Sequence, residues 1–114
     1  MINSTSFGTI TFENQVYTSD VILFPDGFVM DGWWRKKGHL LQPVDLHTLV
    51  KTSPDLVVIG TGTHGRMKLH NDLAGFLNER NIAYVAEPTP QAIHTYNARK
   101  SEKLCVAGCF HLTC

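Results

Sequence analysis

Three groups of side chains in this 114-residue chain have the types and spacing to do chemistry. Gly60-Thr61-Gly62-Thr63-His64-Gly65 spells G-x-G-x-x-G, a run in which bare amides approach phosphate or another anion. Cys105, Cys109, His111 and Cys114 are thiols and an imidazole, which ligate metals or pair as nucleophile and base. Trp33-Trp34-Arg35-Lys36-Lys37-Gly38-His39 interleaves aromatic rings with cations, the chemistry of stacking and of interfaces.

The glycine run follows the apolar segment Leu56-Val57-Val58-Ile59, and Glu87 stands at the end of the next apolar segment, as a dinucleotide fingerprint asks. Too little chain follows Gly65 for a second mononucleotide-binding half. Arg66–His70 also separates the glycines from a helix expected to start at Asn71. A dinucleotide is therefore not expected. A crevice for a small anion at the carboxyl end of the strand is the functional reading, and a simple turn is the structural one.

Cys105 and Cys109 lie on one face of an extended segment, roughly 13 Å apart at about 3.3 Å per residue, too far to share a tetrahedral ion. His111-x-x-Cys114 offers two ligands, with His39 or His64 left to complete a set through folding. No second C-x-x-C or H-x-x-H pair accompanies it. Neither metal nor cofactor is expected, and Cys105 and Cys109 read as small core residues. A carboxylate beside the Cys114 thiol disfavours a nucleophilic Cys114–His111 pair, so no catalytic residue is assigned.

Charge narrows the partners. Ten Lys and Arg balance ten Asp and Glu, the net charge is zero, and the basic excess of a nucleic-acid domain is missing. With no electrostatic track, Trp33, Trp34 and Arg35 read as a protein contact rather than a base-stacking surface. No segment is apolar enough to cross a membrane, and the first residues lack the basic and apolar regions of a secretory signal. Three cysteines crowded into the last ten residues make a poor disulfide framework, which fits a reducing compartment. The expectation is one cytoplasmic domain over residues 1–114.

The elements that would position these groups change rhythm along the chain. Phe7–Phe12, Val16-Tyr17, Asp20–Phe24 and Phe28–Met30 read as an antiparallel β-meander, with Glu13-Asn14-Gln15 and Pro25-Asp26-Gly27 as turns. Helices follow over Pro43–Lys51, Asn71–Arg80 and from a Thr89 cap to about Lys100. Strands over Asp55–Ile59, Ile82–Ala86 and Leu104–Leu112 alternate with them. Alternation of this kind predicts an α/β fold of three layers, a mixed central sheet with helices on its faces. Thr89, Ala92 and Tyr96 form one helical stripe, the mark of close packing or of a polar wall.

Taken in order, several fragments resemble one small family. They are Phe7-Gly8, Asp20, Pro25-x-Gly27, Trp34-Arg35-x-x-Gly38-His39, Val58-Ile59-Gly60-Thr61-Gly62, Thr89-x-x-Ala92-x-x-x-Tyr96-Asn97 and His111-Leu112-Thr113-Cys114. It is the family of small α/β domains of unknown biochemical function that includes the adipogenesis-associated domain protein and a mitochondrial respiratory complex I assembly factor. The resemblance covers nearly the whole chain, but not Cys105, Cys109 or Gly65. It implies a three-layer fold with no established activity. It also implies a crevice where Gly60, Thr61, Gly62, Thr89, Ala92, Tyr96, Asn97, His111, Thr113 and Cys114 meet. The complex I role belongs to the mitochondrial branch, and this chain shows no Arg-rich, acid-poor transit segment. The expected function is a non-catalytic accessory acting through a protein partner, with a small-anion-binding module or small enzyme at the crevice as the alternative. Homo-oligomers are compatible with both.

Overall fold

A computed structural model describes residues 1–102 and 105–114. Ten strands, one 3-10 turn and three α-helices are seen among them. Strands β1 (Ile2–Ser6), β2 (Thr9–Phe12) and β3 (Gln15–Tyr17) form an antiparallel sheet of their own. Its second hairpin closes over Glu13 and Asn14, both with positive φ, 50° and 65°, the tight two-residue turn that fits strand twist.

The expected meander therefore divides. Strands β4 (Val21–Leu23) and β5 (Val29–Asp31) leave the first three and join the central sheet. That sheet runs β5-β4-β10-β7-β9, where β7 is Leu56–Thr61, β9 Ala83–Glu87 and β10 Val106–His111. β10, β7 and β9 are parallel; β4 is antiparallel to β10 and to β5. β7 and β10 are covered on both faces, which is why each reads as a nearly unbroken apolar run. Leu104, expected to open the last strand, lies outside the described residues, and Cys105 stands half-buried before the strand begins.

Alternation along the central strands sorts two cores. Ile22, Val57, Ile59, Ala107 and Cys109 face one side, where Leu46, Leu49, Leu73 and Leu77 cover them. Those leucines come from a 3-10 turn (Pro43–Leu46) continuing into α1 (His47–Val50), and from α2 (Leu73–Asn78). Val21, Leu23, Val58, Val106 and Phe110 face the other side, against α3 (Thr89–Ser101) and the N-terminal sheet. Three layers result, as expected of the pattern. Burial of this kind makes truncation of any of these leucines to alanine cost about 2–5 kcal/mol.

Two details depart from the expected elements. The predicted helix over 43–51 is half 3-10, and α3 is capped by Pro88 with Thr89 already inside it. A two-residue parallel pair, β6 (Leu40–Leu41) with β8 (Lys68–Leu69), has no sequence signature at that length. It nevertheless ties the segment carrying His39 to the segment after the glycines, with the Lys68 N–H donating to the His39 carbonyl at 2.7 Å.

Candidate functional site

His111 closes β10 on the same face as Ala107 and Cys109. Antiparallel pairing sets Cys109 opposite Ile22 and Phe110 opposite Val21. One further step brings Asp20 opposite His111. Asp20 Oδ2 lies 2.8 Å from His111 Nδ1, and Asp20 Oδ1 accepts the Leu112 N–H at 2.8 Å. Arg35 completes the cluster. Its Nη2 donates to Asp20 Oδ2 at 2.7 Å, and its Nε donates to the Gly38 carbonyl at 2.6 Å.

The loop carrying Arg35 is held by the same aspartate's backbone, whose carbonyl accepts the Trp33 N–H at 3.0 Å. Trp33 turns inward, 5% exposed, and the Arg35 guanidinium lies 4.7 Å from its ring centroid. Of the expected protein-contact patch, only Trp34 is on the surface, at 85% exposure. Trp33 and Arg35 are withdrawn from it because one ring completes the core and one cation is needed beside Asp20.

Side chains of Asp20, Arg35 and His111 are 14%, 4% and 5% exposed. Burial pushes the Asp20 carboxyl up. Hydrogen bonds from His111, the Leu112 amide and Arg35, with the guanidinium charge, outweigh that and hold it below its ordinary value. Asp20 Oδ2, at 2.8 Å, accepts from the Nδ1–H tautomer of His111, which leaves the ring's lone pair on Nε2; Arg35 Nη2 stands 3.1 Å from the same Nδ1. His111 Nε2 and Arg35 Nη1 are buried without a hydrogen-bond partner. Buried polar atoms in native folds are almost always satisfied, so two orphans in one cluster mark it out.

A pocket of about 360 Å³ lies over this cluster, lined among others by Thr18, Trp34, Arg35, His39, His111 and Thr113. That volume is in the range of small-molecule sites. A second hollow of about 440 Å³, between His47 and Arg80, has no orphaned buried polar atom in its lining.

The residues of the expected crevice do come together in part. The Gly62 N–H donates to Thr89 Oγ1 at 3.0 Å, and that hydroxyl donates to the His111 carbonyl at 2.6 Å. A Cβ on Gly62 would lie 2.4 Å from the Thr113 carbonyl oxygen and 2.7 Å from the Cys114 carbonyl carbon. These groups face one another rather than a void, and the Gly62 amide is already used. Gly60 lies inside the sheet between Phe110 and Glu87, and a Cβ there would strike Phe110 and Thr89 at 2.7 Å. Thr61 pairs with His111 and is buried, while Ala92 and Tyr96 belong to the core. Burial pushes the Tyr96 hydroxyl up to about 12. Asn97 sits apart from the rest, clamping Ile2 of β1 through its Oδ1 and Nδ2, both at 2.8 Å.

No helix stands behind the glycines, because β8 intervenes before α2. That removes the amide-lined helix start a dinucleotide motif needs.

A family model described as "protein of unknown function (DUF498/DUF598)" matches residues 2–111. The chain belongs to that family. Among solved structures, this DUF498/DUF598 chain is similar to one named MT938, at 28% identity and a TM-score of 0.83, over 100% of this chain and 98% of that one. It is similar to conserved hypothetical protein PH1505 of Pyrococcus horikoshii OT3 at 20% identity and a TM-score of 0.86, over 100% and 99%. A Bordetella pertussis protein described as a Mth938-like domain aligns at 15% identity and a TM-score of 0.65, over 98% and 85%. The last two speak to the fold alone. No helix among the described residues is long and apolar enough to cross a membrane.

Spacing alone gives Asp20 no place in a site, and it offers Arg35 only as a protein contact and His39 only as a ligand to complete a metal set. A signal for all three is present in the family-like fragments Asp20 and Trp34-Arg35-x-x-Gly38-His39. Only the β10–β4 register shows that Asp20 and His111 meet.

Proposed function

We propose that this domain is a small-molecule-binding module whose pocket receives an anionic or acceptor group at Arg35 and stacks the rest of the ligand against Trp34. The observation that carries the reading is the unpartnered Nη1 of a buried arginine that lines a pocket of about 360 Å³. Arg35 spends Nε on Gly38 and Nη2 on Asp20, so Nη1, buried at the pocket's edge, is the donor left for an acceptor. Calorimetric titration with carboxylates, inorganic phosphate and nucleotides tests this. Saturable binding by one class, weakened about tenfold or more by Trp34→Ala, is the expected result. Silence across the panel from a folded protein overturns it.

A second reading, a non-catalytic accessory that docks a protein partner, is favoured by the 85% exposure of Trp34. Crosslinking to partners in cell extract should then be lost with Trp34→Ala. Unchanged recovery sinks it.

A further inference from the structure

We infer that His39, His111 and Cys114 form a binding site for a divalent transition-metal ion of borderline softness, zinc above all. One ligand atom from each lies within 4.8 Å of the other two. Ligands at about 2.0–2.3 Å from a tetrahedral zinc ion are roughly 3.3–3.8 Å apart, so the set has to close by about 1 Å. Rotation of the exposed His39 and the half-buried Cys114 supplies that movement, while His111 stays fixed in the sheet.

Three further features point to a cation here. His111 is 5% exposed at its side chain, and its Nε2 has no partner. The other ring nitrogen is held by Asp20 at 2.8 Å, the carboxylate–histidine arrangement that turns an imidazole's free lone pair toward a metal. The Cys114 backbone passes beside the Cδ2 edge of the ring. The would-be Cβ of Gly62 is 3.0 Å from His111 Cδ2, the carbon beside Nε2, and 2.7 Å from the Cys114 carbonyl carbon. Arg35 approaches the opposite edge, 3.1 Å from Nδ1, where Asp20 balances its charge.

Each ligand's backbone is also anchored. The Lys68 N–H holds the His39 carbonyl, and the Arg66 N–H holds the Cys114 carbonyl at 3.2 Å. The Leu112 carbonyl accepts from Gly8 N–H at 2.9 Å and from Thr63 Oγ1 at 3.0 Å. Binding displaces the Cys114 thiol proton to solvent and leaves a thiolate–imidazole set, which suits zinc or cobalt better than magnesium or calcium. Three protein ligands leave the fourth tetrahedral position open. The site does not require the organic ligand proposed above, since metal-free titration tests that reading separately.

The test uses the full chain, without a polyhistidine tag and stripped of metal, titrated with cobalt(II) and then zinc. The expected result is stoichiometric binding with tetrahedral cobalt absorption and a thiolate charge-transfer band, displaced by zinc. Cys114→Ser should abolish the charge-transfer band. His39→Ala and Cys114→Ser should each weaken zinc binding about tenfold or more, while Cys105→Ser leaves it unchanged. Absence of saturable binding, full affinity in His39→Ala or Cys114→Ser, or an equal loss with Cys105→Ser would overturn the assignment.

Discussion

Asp20 and His111, 91 residues apart in the chain, meet at 2.8 Å across the end of the β10–β4 ladder. The contact joins the amino end of an antiparallel strand to the carboxyl end of a parallel one, the place where open α/β sheets gather ligands. Arg35 makes the pair a largely buried cluster of three, and the consequences can be measured.

The Asp20 carboxyl titrates below its ordinary value of 3.8 in the folded protein. A group depressed on folding contributes stability above its unfolded value, and the contribution fades as pH falls through the lower folded value. Wild-type stability should therefore decline as pH falls below the carboxyl's ordinary value of 3.8 and through its lower folded value. Asp20→Asn leaves Arg35 without its carboxylate and should cost about 3 kcal/mol at neutral pH, with a flatter acid limb. Denaturant melts at stepped pH check both. A parallel decline in variant and wild type would remove Asp20 from the account.

Gly62 has φ +107° and no room for a methyl group against the Thr113 oxygen. Gly62→Ala is expected to lose about 1–3 kcal/mol from strain and displacement of the tail. Gly75→Ala, in α2 with nothing within 4 Å, should be neutral or slightly stabilising. Paired urea melts separate the two.

Thiol reactivity should divide by burial. Cys109 is fully buried, which pushes its thiol up to about 12, whereas Cys105 and Cys114 are half-buried. Iodoacetamide at neutral pH should modify Cys105 and Cys114 in the folded protein and reach Cys109 only after unfolding. Peptide mass mapping reads the order. Early loss of Cys109 would mean that the sheet opens locally.

Asn97 is the tie between α3 and β1. Asn97→Ala strands the Ile2 amide and carbonyl and should cost about 1–3 kcal/mol. Amide exchange should accelerate across Ile2–Ser6 more than in β10. Uniform acceleration would show that the N-terminal sheet unfolds only with the rest.

Local readings succeeded where a residue's role depended on its near neighbours. The tight connection at Glu13-Asn14-Gln15, of which Gln15 already belongs to β3, and the doubly buried runs of β7 and β10 follow from spacing and residue type. They failed where geometry overrode pattern. Trp33 and Trp34 are adjacent and identical, yet opposite in burial, because the Trp33 amide is bonded to Asp20. Thr89 has the character of a cap and serves as a hydroxyl bridge between Gly62 and His111. The expected crevice drew its residues together and then let them satisfy one another.

Sequence by itself determined the family and the alternation of strands and helices. Apolar periodicity and short motifs act within a few residues, and those features are local. Tertiary structure alone decided that the meander splits between two sheets, that Arg35 is buried, and that Asp20 and His39 converge on His111. Those outcomes depend on strand order and register, which set long-range neighbours by backbone pairing rather than by the character of any single residue.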